Sequence, residues 1–272
     1  MRKSFFPGTT GIFALFFVPY IVTIIFNGAN TTLINKKFNV EMLLPVIVSS
    51  QIEDKYEIET IKAQTIIARS NFYRTMKEEK NLAITLCQIK KSLACVILQN
   101  KYEKAVTETE GKVIVWNKEL KLVPYHELSA GQTRDGMEVF HNEDDSYLRS
   151  VHSLVDKNAK DYLNSVYINK NVLPERIEIK SRDSAGYVTE ILADGKVLEG
   201  EAFRKGMGLT SSNFTIQKSG KEIRFLCRGK GHGLGFSQYG GNEMAKESAN
   251  AKEILQYYFP EMDVLNIKYV NC

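Results

Sequence analysis

Residue patterns that bind metals are scarce in this sequence. Its 272 residues include four cysteines and four histidines, and no two cysteines have the C-x-x-C spacing of a zinc or redox site. Cys87 and Cys95 lie eight positions apart without a nearby histidine, and the histidines, at 126, 141, 152 and 232, are dispersed. We therefore expect no metal site and no cofactor. Single buried thiols are the default for such cysteines, and no disulfide can be assigned.

Strong charge of one sign is also missing. The 36 Lys and Arg residues exceed the 32 Asp and Glu residues by a net charge of +4. No basic run interleaved with aromatic residues occurs, which argues against a nucleic-acid partner. The G-x-x-x-x-G-K-[ST] order of a phosphate-binding loop is absent as well. A mild positive charge suits an anionic polymer such as cell wall but does not identify one.

One long apolar run stands near the N-terminus. It covers residues 11–26, GIFALFFVPYIVTIIF, and follows the cations Arg2 and Lys3. Its length is at the short end of what spans a bilayer, and the preceding cations predict a cytoplasmic N-terminus with the rest of the chain outside the cell membrane. A cleaved signal peptide is the alternative. The predicted organisation is a stub and single-pass membrane anchor (1–27), a polar tether (28–40) and a globular region (41–272).

The clearest helix signal lies between Tyr56 and Tyr73. This segment contains no Gly or Pro, and its apolar face repeats every three or four residues, at Ile58, Ile61, Thr65, Ala68 and Phe72. Asp54 and Glu57 form a capping-box pattern at its start. Glu59 then lies at the rim of a buried helix, where a carboxyl group can transfer protons. Acidic residues are also common in a first helical turn because the helix dipole favours negative charge there. The pattern therefore fits either a proton-transfer role or a purely structural one.

Helical and strand patterns do not alternate regularly in the rest of the chain. This predicts an α+β fold of mixed helices and antiparallel strands, without a doubly wound parallel sheet. The individual predictions are an amphipathic segment at 77–100, a β-hairpin within 101–127, a helix within 156–171, a hairpin that turns at Asp194-Gly195 and a helix at 237–248.

Two loops are rich in small residues. They are YHELSAGQT (125–133) and RGKGHGLGFSQYG (228–240), and their composition predicts exposed backbone that approaches a ligand closely. His126 in the first loop is equally well explained as a core imidazole by its chemistry alone. The second loop opens a helix whose N-terminal amides are able to bind polar groups.

These motifs resemble those of one protein family. Glu59-Thr-Ile-Lys62-Ala63-Gln64 with Ala68-Arg69 resembles the E-x-L-K-A-Q-A-x-A-A-R helix of the stage II sporulation protein D (SpoIID/LytB) family. The two loops resemble the family's Y-H-S-x-S-G-G-x-T and G-x-G-W-G-H-G-V-G-M-S-Q-W-G-A segments. The segment 147–151 resembles the family's Y-L-x-S-V strand, and the segment 200–214 resembles its G-x-x-x-R…G-L-x-S-x-x-F segment, which implies a short helix at 200–204. The similarity covers roughly residues 41–259. The chain departs from the motifs at Glu127, Ala130, Lys230 and Tyr239.

The resemblance implies an active site. The family contains lytic transglycosylases of peptidoglycan, and its catalytic acid falls on Glu59. The implied cleft brings Gln64, Arg69, His126 and His232 around Glu59. The residues implied to bind substrate are Lys62, Gln64, Arg69, Tyr125, His126, Ser129, Gly131, Thr133, His232, Ser237, Gln238 and Tyr239.

The resemblance also implies a reaction and partners. Glu59 would cleave the MurNAc–GlcNAc bond of glycan strands and leave 1,6-anhydroMurNAc ends, beside a membrane-bound amidase that removes peptides first, during engulfment of a forespore. One alternative is a non-catalytic glycan-binding protein that stimulates an amidase, since a fold alone does not establish cleavage. A membrane-tethered scaffold and a wall hydrolase outside sporulation are further alternatives.

Overall fold

The computed structural model describes residues 40–78 and 100–270. The predicted anchor, nearly all of the predicted tether and most of the amphipathic segment at 77–100 lie outside the described residues. The chain divides into two compact units, 1–43 and 44–272, and the described part of the first is a 3-10 turn at Val40–Met42 followed by Leu43. Within the described ranges, no helix is both long enough and apolar enough to span a bilayer.

The described residues of the second unit form both helices and strands. The described helices are α1 (Leu44–Ser49), α2 (Ile58–Glu78), α3 (Asn100–Glu108), α4 (Gly136–Phe140), α5 (Gly200–Gly206), α6 (Gln238–Lys246) and α7 (Ala251–Tyr258). The strands are β1 (Lys112–Val115), β2 (Tyr125–His126), β3 (Leu163–Asn169), β4 (Ile177–Arg182), β5 (Val188–Ala193), β6 (Lys196–Glu199), β7 (Phe214–Ser219), β8 (Glu222–Arg228), β9 (Phe236–Ser237) and β10 (Asp263–Asn266).

The strands form small, mostly antiparallel sheets. Two of them have three strands, in the orders β3-β8-β7 and β4-β5-β6, and β1 pairs with β10. Among the described strands, the one parallel pair joins β2 to β9 over two residues, Tyr125 opposite Phe236 and His126 opposite Ser237. A pair this short is not a doubly wound sheet, so the predicted α+β class with antiparallel strands is confirmed.

Helix α2 lies at the centre of the unit. Nearly every side chain from Thr60 to Ser70 is buried, so the predicted apolar stripe was too narrow. One side packs against α7 and the turn after it, through residues that include Ile66, Ile254 and Phe259. The small or uncharged side chains of most of this stretch permit burial on all sides. A helix enclosed in this way holds its first turn in a fixed position.

The start of α2 differs from the prediction. The helix begins at Ile58, four residues after Asp54, so the predicted capping box at Asp54 is wrong. A distant side chain supplies the cap instead. Asn242 Oδ1 accepts hydrogen bonds from Glu57 N (2.7 Å) and Thr60 Oγ1 (3.5 Å), which satisfies a donor that the helix itself leaves free.

A second core lies between the two three-stranded sheets and α5. Phe203, Phe214 and Phe225 stack there with ring centroids 5.6–5.9 Å apart. Cys227 is buried beside them as a free thiol, as predicted for the isolated cysteines. The hairpin turn at Asp194-Gly195 is confirmed, with both residues at positive φ, and so are α5 and α6.

Three predicted elements are wrong. The first strand of the hairpin predicted within 101–127 is helix α3, whose buried residues Tyr102, Ala105 and Val106 follow a helical period. The helix predicted within 156–171 contains strand β3, which pairs with β8 over seven residues. The segment 147–151 is not a strand. Tyr147 and Leu148 belong to the core, and Val151 exchanges hydrogen bonds with Thr133.

Candidate active site

Glu59 projects from the first turn of α2, and both of its carboxyl oxygens accept hydrogen bonds. Oε1 accepts from Lys62 Nζ at 2.6 Å, one helical turn away. Oε2 accepts from the backbone N–H of Ala251 at 2.8 Å. The side chain keeps 28% of its surface exposed, so a ligand is able to reach it. Glu59 is therefore held in place by hydrogen bonds and is also accessible from the solvent.

Ala251 is available to Glu59 because of how α7 begins. Asn250 is the N-cap, and it forms a full capping box with Glu253, whose side chain accepts from Asn250 N. The cap satisfies the N–H groups of Lys252 and Glu253. The first amide, that of Ala251, is left to point at Glu59. The positive end of the α7 dipole therefore faces the carboxyl group.

Replacement of Asn250 by Ala should destabilise the protein by about 1 kcal/mol, because two amides of the first turn of α7 lose their acceptor. The measurement is the free energy of unfolding from urea titration. Asn250→Ser, which restores a capping oxygen, is the matched control and should recover most of the loss. Equal losses in both variants would show that the cap does not stabilise α7.

Glu59 lines a pocket of about 440 Å³. The walls come from α2, from the end of α3 and the turn after it, from the start of β1, from the start of α7 and from β10. Of the residues predicted for the site, Glu59 and Lys62 lie in this lining. Glu108 from α3 lies there too, and it was not predicted. Among residues 40–78 and 100–270, no group of three or more His, Cys, Asp or Glu side chains is placed to hold a metal ion.

Lys62 is shared between two carboxylates in this pocket. Its Nζ contacts Glu59 Oε1 and also Glu108 Oε2. Burial acts to lower the pKa of Lys62, but the hydrogen bonds to Glu108 and Glu59 outweigh burial, and the pKa is raised. The same hydrogen bond from Lys62 lowers the pKa of Glu108. Lys62 and Glu108 therefore form a stable ion pair beside Glu59.

The structure brings His126 and His232 together, with ring centroids 5.7 Å apart. His126 Nδ1 lies 2.9 Å from Leu234 O, and since a carbonyl only accepts, Nδ1 carries the proton. Burial, with His232 nearby, lowers the pKa of His126 to about 3. Burial also lowers the pKa of His232. Both rings are thus neutral near pH 7.

The two histidines do not line the pocket of Glu59. His232 and Tyr125 line another pocket, of about 450 Å³, together with Asn71. Asn71 follows Glu59 on α2 by more than three turns, about 18 Å along the helix axis. Tyr239 lines a third pocket, of about 420 Å³, with Tyr56. The structure therefore distributes the predicted residues over several pockets rather than one cleft.

Other predicted site residues are enclosed by protein. Arg69 has no exposed surface and donates to Lys112 O and Thr109 Oγ1, which ties α2 to β1 and α3. Gln64 is fully buried and accepts from Gln238 Nε2 at 3.1 Å, a link between α2 and α6. Arg69 and Gln64 are therefore buried side chains that hold α2 against its neighbours, and they do not face a pocket with Glu59.

The two motif loops meet at a buried carboxylate. Asp156 Oδ2 accepts from Ser129 N at 2.9 Å and from Ser237 Oγ at 2.8 Å, so one side chain joins both loops. Ser237 is also the N-cap of α6. Burial raises the pKa of Asp156. Two further predicted residues hold the first loop internally: Gly131 N donates to Ser129 Oγ, and Thr133 exchanges hydrogen bonds with Val151.

The glycine-rich loop is packed rather than exposed, in contrast to the prediction. Gly229, Gly231, Gly233 and Gly235 all have positive φ, as expected. A side chain at Gly235 would overlap the carbonyl oxygen of Pro124, so a residue larger than glycine does not fit. Lys230 and Glu127, two of the positions that depart from the family motifs, form an ion pair with Nζ 2.7 Å from the carboxylate.

Sequence reasoning missed the residues that hold the site from a distance. Asn242 caps α2, Asp156 joins the loops, Ala251 N–H binds Glu59, and Glu108 shares Lys62. None of them has a local pattern that marks its role. A further pocket, of about 660 Å³, is lined by Arg134, Asp183 and Glu201 among others, and none of the predicted site residues line it.

Comparison with known proteins agrees with the motifs. The sequence model of the family described as SpoIID, stage II sporulation protein, matches residues 28–116, which include Glu59. The chain is 27% identical over 242 residues to stage II sporulation protein D of Bacillus subtilis (strain 168), covering 78% of this chain and 70% of that protein. Stage II sporulation protein D of Bacillus amyloliquefaciens is 26% identical over 247 residues, covering 80% and 72%. An uncharacterised protein of Brachyspira hyodysenteriae is 25% identical over 280 residues, covering 95% and 73%.

Proposed function

Because the chain belongs to the stage II sporulation protein D family, we propose that it is a sporulation protein that cleaves peptidoglycan as a lytic transglycosylase, with Glu59 as acid and base. The family assignment confirms the resemblance of the motifs. The proposed substrate is the glycan strand, cut between MurNAc and GlcNAc to give 1,6-anhydroMurNAc ends.

The observation that carries this proposal is the placement of Glu59. Its helix is buried for the three turns that follow, while its carboxyl group opens into a pocket of about 440 Å³. Proton transfer requires a group held within hydrogen-bond reach of the reacting oxygen, and rigid support improves that alignment. The motif match supports Glu59 as the counterpart of the family's catalytic acid, and its carboxyl group is partly exposed.

A lytic cleavage needs one group that first gives and then takes a proton. Glu59 in its acid form donates to the bridging oxygen, which leaves with the electron pair of the C1–O bond. The C6 hydroxyl of the same muramoyl ring attacks C1, and its proton passes to the Glu59 carboxylate. The acid is thereby restored, and no water is consumed. Hydrolytic glycosidases normally need a second carboxylate as base or nucleophile.

A specific observation favours a second function, that of a non-catalytic glycan-binding protein that stimulates an amidase. Both oxygens of Glu59 already accept hydrogen bonds from protein donors, Lys62 and Ala251. A carboxylate held in this way also serves as a structural tie between α2 and α7. The lytic function requires that Glu59 exchange one of these donors for substrate.

We place the proposed reaction at the outer face of a membrane. The apolar run at 11–26 would anchor the chain, and a tether confines the enzyme to wall within its reach at raised effective concentration. The proposed partner is an amidase that removes stem peptides during engulfment. A glycan freed of its peptides enters a narrow pocket more easily than an intact strand does.

Product ends distinguish these functions. Full-length protein is incubated with intact glycan strands and with peptide-stripped strands, and the released ends are identified by mass. We expect anhydro ends, lighter by one water than reducing ends, from stripped strands. Reducing ends would instead indicate a hydrolase. Tight binding without any product would indicate the amidase-stimulating function.

A further inference from the structure

The pocket of Glu59 contains a second carboxylate held by the same lysine. Lys62 is the most enclosed of the three side chains, with 16% of its surface exposed against 28% for Glu59 and 39% for Glu108. Each carboxylate contacts the same ammonium nitrogen. The two nearest carboxylate oxygens are therefore at most about 6 Å apart, twice the length of a hydrogen bond.

The charged side chains that line the pocket are equal in number for the two signs only while Glu108 is present. The other charged side chains that line the pocket are Glu110, Lys112 and Lys252, and Lys104 lies 3.8 Å from Glu108. The lining then has three cations and three carboxylates. When Glu59 takes up a proton, one negative charge is lost. Without Glu108 a further negative charge would be lost, and the surplus of positive charge would oppose protonation of Glu59.

A lysine ammonium next to a carboxyl group favours the ionised form of that group, and Lys62 contacts Glu59 directly. An acid that donates a proton to a glycosidic oxygen has to be protonated before the reaction. Glu108 gives the ammonium of Lys62 a different permanent partner. The hydrogen bond from Lys62 lowers the pKa of Glu108, which favours the ionised form of Glu108.

We propose that Glu108 is the counter-ion of Lys62 and that it thereby allows Glu59 to carry the proton of the reaction. Glu108 is then a positioning residue, since it acts on Glu59 through Lys62. This inference rests on the proposed lytic function. It gives the two carboxyl groups of one pocket different roles: Glu59 exchanges a proton, and Glu108 stays ionised. Active sites commonly assign such different roles to neighbouring carboxyl groups.

The test measures the proton on Glu59 directly. Carbon-13 spectra of full-length protein labelled at glutamate carboxyl groups are recorded against pH, and the Glu59 signal is assigned by its loss in Glu59→Gln. In Glu108→Gln the pH at which Glu59 takes up its proton should fall by about one unit. In Lys62→Met it should rise. Glu103→Gln, which removes an exposed carboxylate from the same helix outside the pocket, should leave it unchanged.

Activity gives the second measurement. The alkaline limb of anhydro-end release against pH should move to lower pH in Glu108→Gln, with a loss of about ten-fold at neutral pH and recovery in acid. An unchanged Glu59 titration in Glu108→Gln would overturn the inference, and so would an equal loss of rate at every pH. If the parent protein releases no anhydro ends, the proposed function fails, while the titration still decides the role of Glu108.

Discussion

Glu59→Gln should lower the rate of anhydro-end release by about a thousand-fold, because glutamine has no proton to give to the glycosidic oxygen. The protein should remain folded. The glutamine carbonyl is still able to accept from Ala251 N–H, and Lys62 keeps Glu108 as its partner. Binding of glycan strands should also persist, since the substitution changes only a few atoms in the pocket. The rate is measured from product ends by mass, and binding from co-sedimentation with strands.

Glu57→Gln is the matched control for this variant. Glu57 is an exposed carboxylate two residues earlier that is not part of the pocket lining, so its loss should leave the rate unchanged. Release of anhydro ends by Glu59→Gln at the parent rate would remove Glu59 from the mechanism. An equal fall in both variants would point to a general effect of charge near the start of α2.

Gly240→Ala should lower the free energy of unfolding by about 3 kcal/mol. A methyl group at this position of α6 would lie 2.8 Å from Asp156 Oδ1 and closer still to Tyr258 Oη and Ser153 Oγ. All three atoms belong to buried side chains. Either they move and break the hydrogen bonds that join the motif loops, or α6 shifts away from Asp156. Both responses remove stability.

Gly206→Ala provides the comparison for Gly240→Ala. Gly206 lies in the last turn of α5, and an added methyl group there meets nothing within 4 Å. That variant should be as stable as the parent or more stable by up to about 1 kcal/mol, because alanine favours the helix. Urea titration of both variants gives the measurement. A Gly240→Ala protein as stable as Gly206→Ala would show that the region around Asp156 is loosely packed.

The sequence predicted those parts of the fold whose signals are local. The period of the apolar residues located α2, and the Asp194-Gly195 pair located a hairpin turn, because helix period and positive φ are written in neighbouring residues. The segment that forms helix α3 was predicted to be a strand, and the segment that forms strand β3 was predicted to be part of a helix. In strand β3 the deciding factor is its pairing with β8, a partner that no local pattern reveals.

The candidate site shows the same division. Glu59 and Lys62 were found because both lie on one recognisable helix. The residues that hold Glu59 in place lie at the other end of the chain or on another helix. Ala251 N–H donates to Glu59, and Asn242 Oδ1 accepts from Glu57 N at the start of α2. Glu108 acts through the lysine that it shares with Glu59. The motif match predicted that His126 and His232 lie close to each other, and they do. The order of residues in a sequence does not give their distance from Glu59.

The long reach of these contacts sets the order in which the site is completed. The hydrogen bonds from Glu57 N to Asn242 and from Ala251 N to Glu59 join residues 185 and 192 positions apart. Contacts that close such long loops form late, since the entropy of closure has to be overcome first. A chain whose last third has not yet joined the fold therefore leaves Glu59 unsupported. The hydrogen-bond support of Glu59 is therefore complete only once the residues near position 250 have folded against α2.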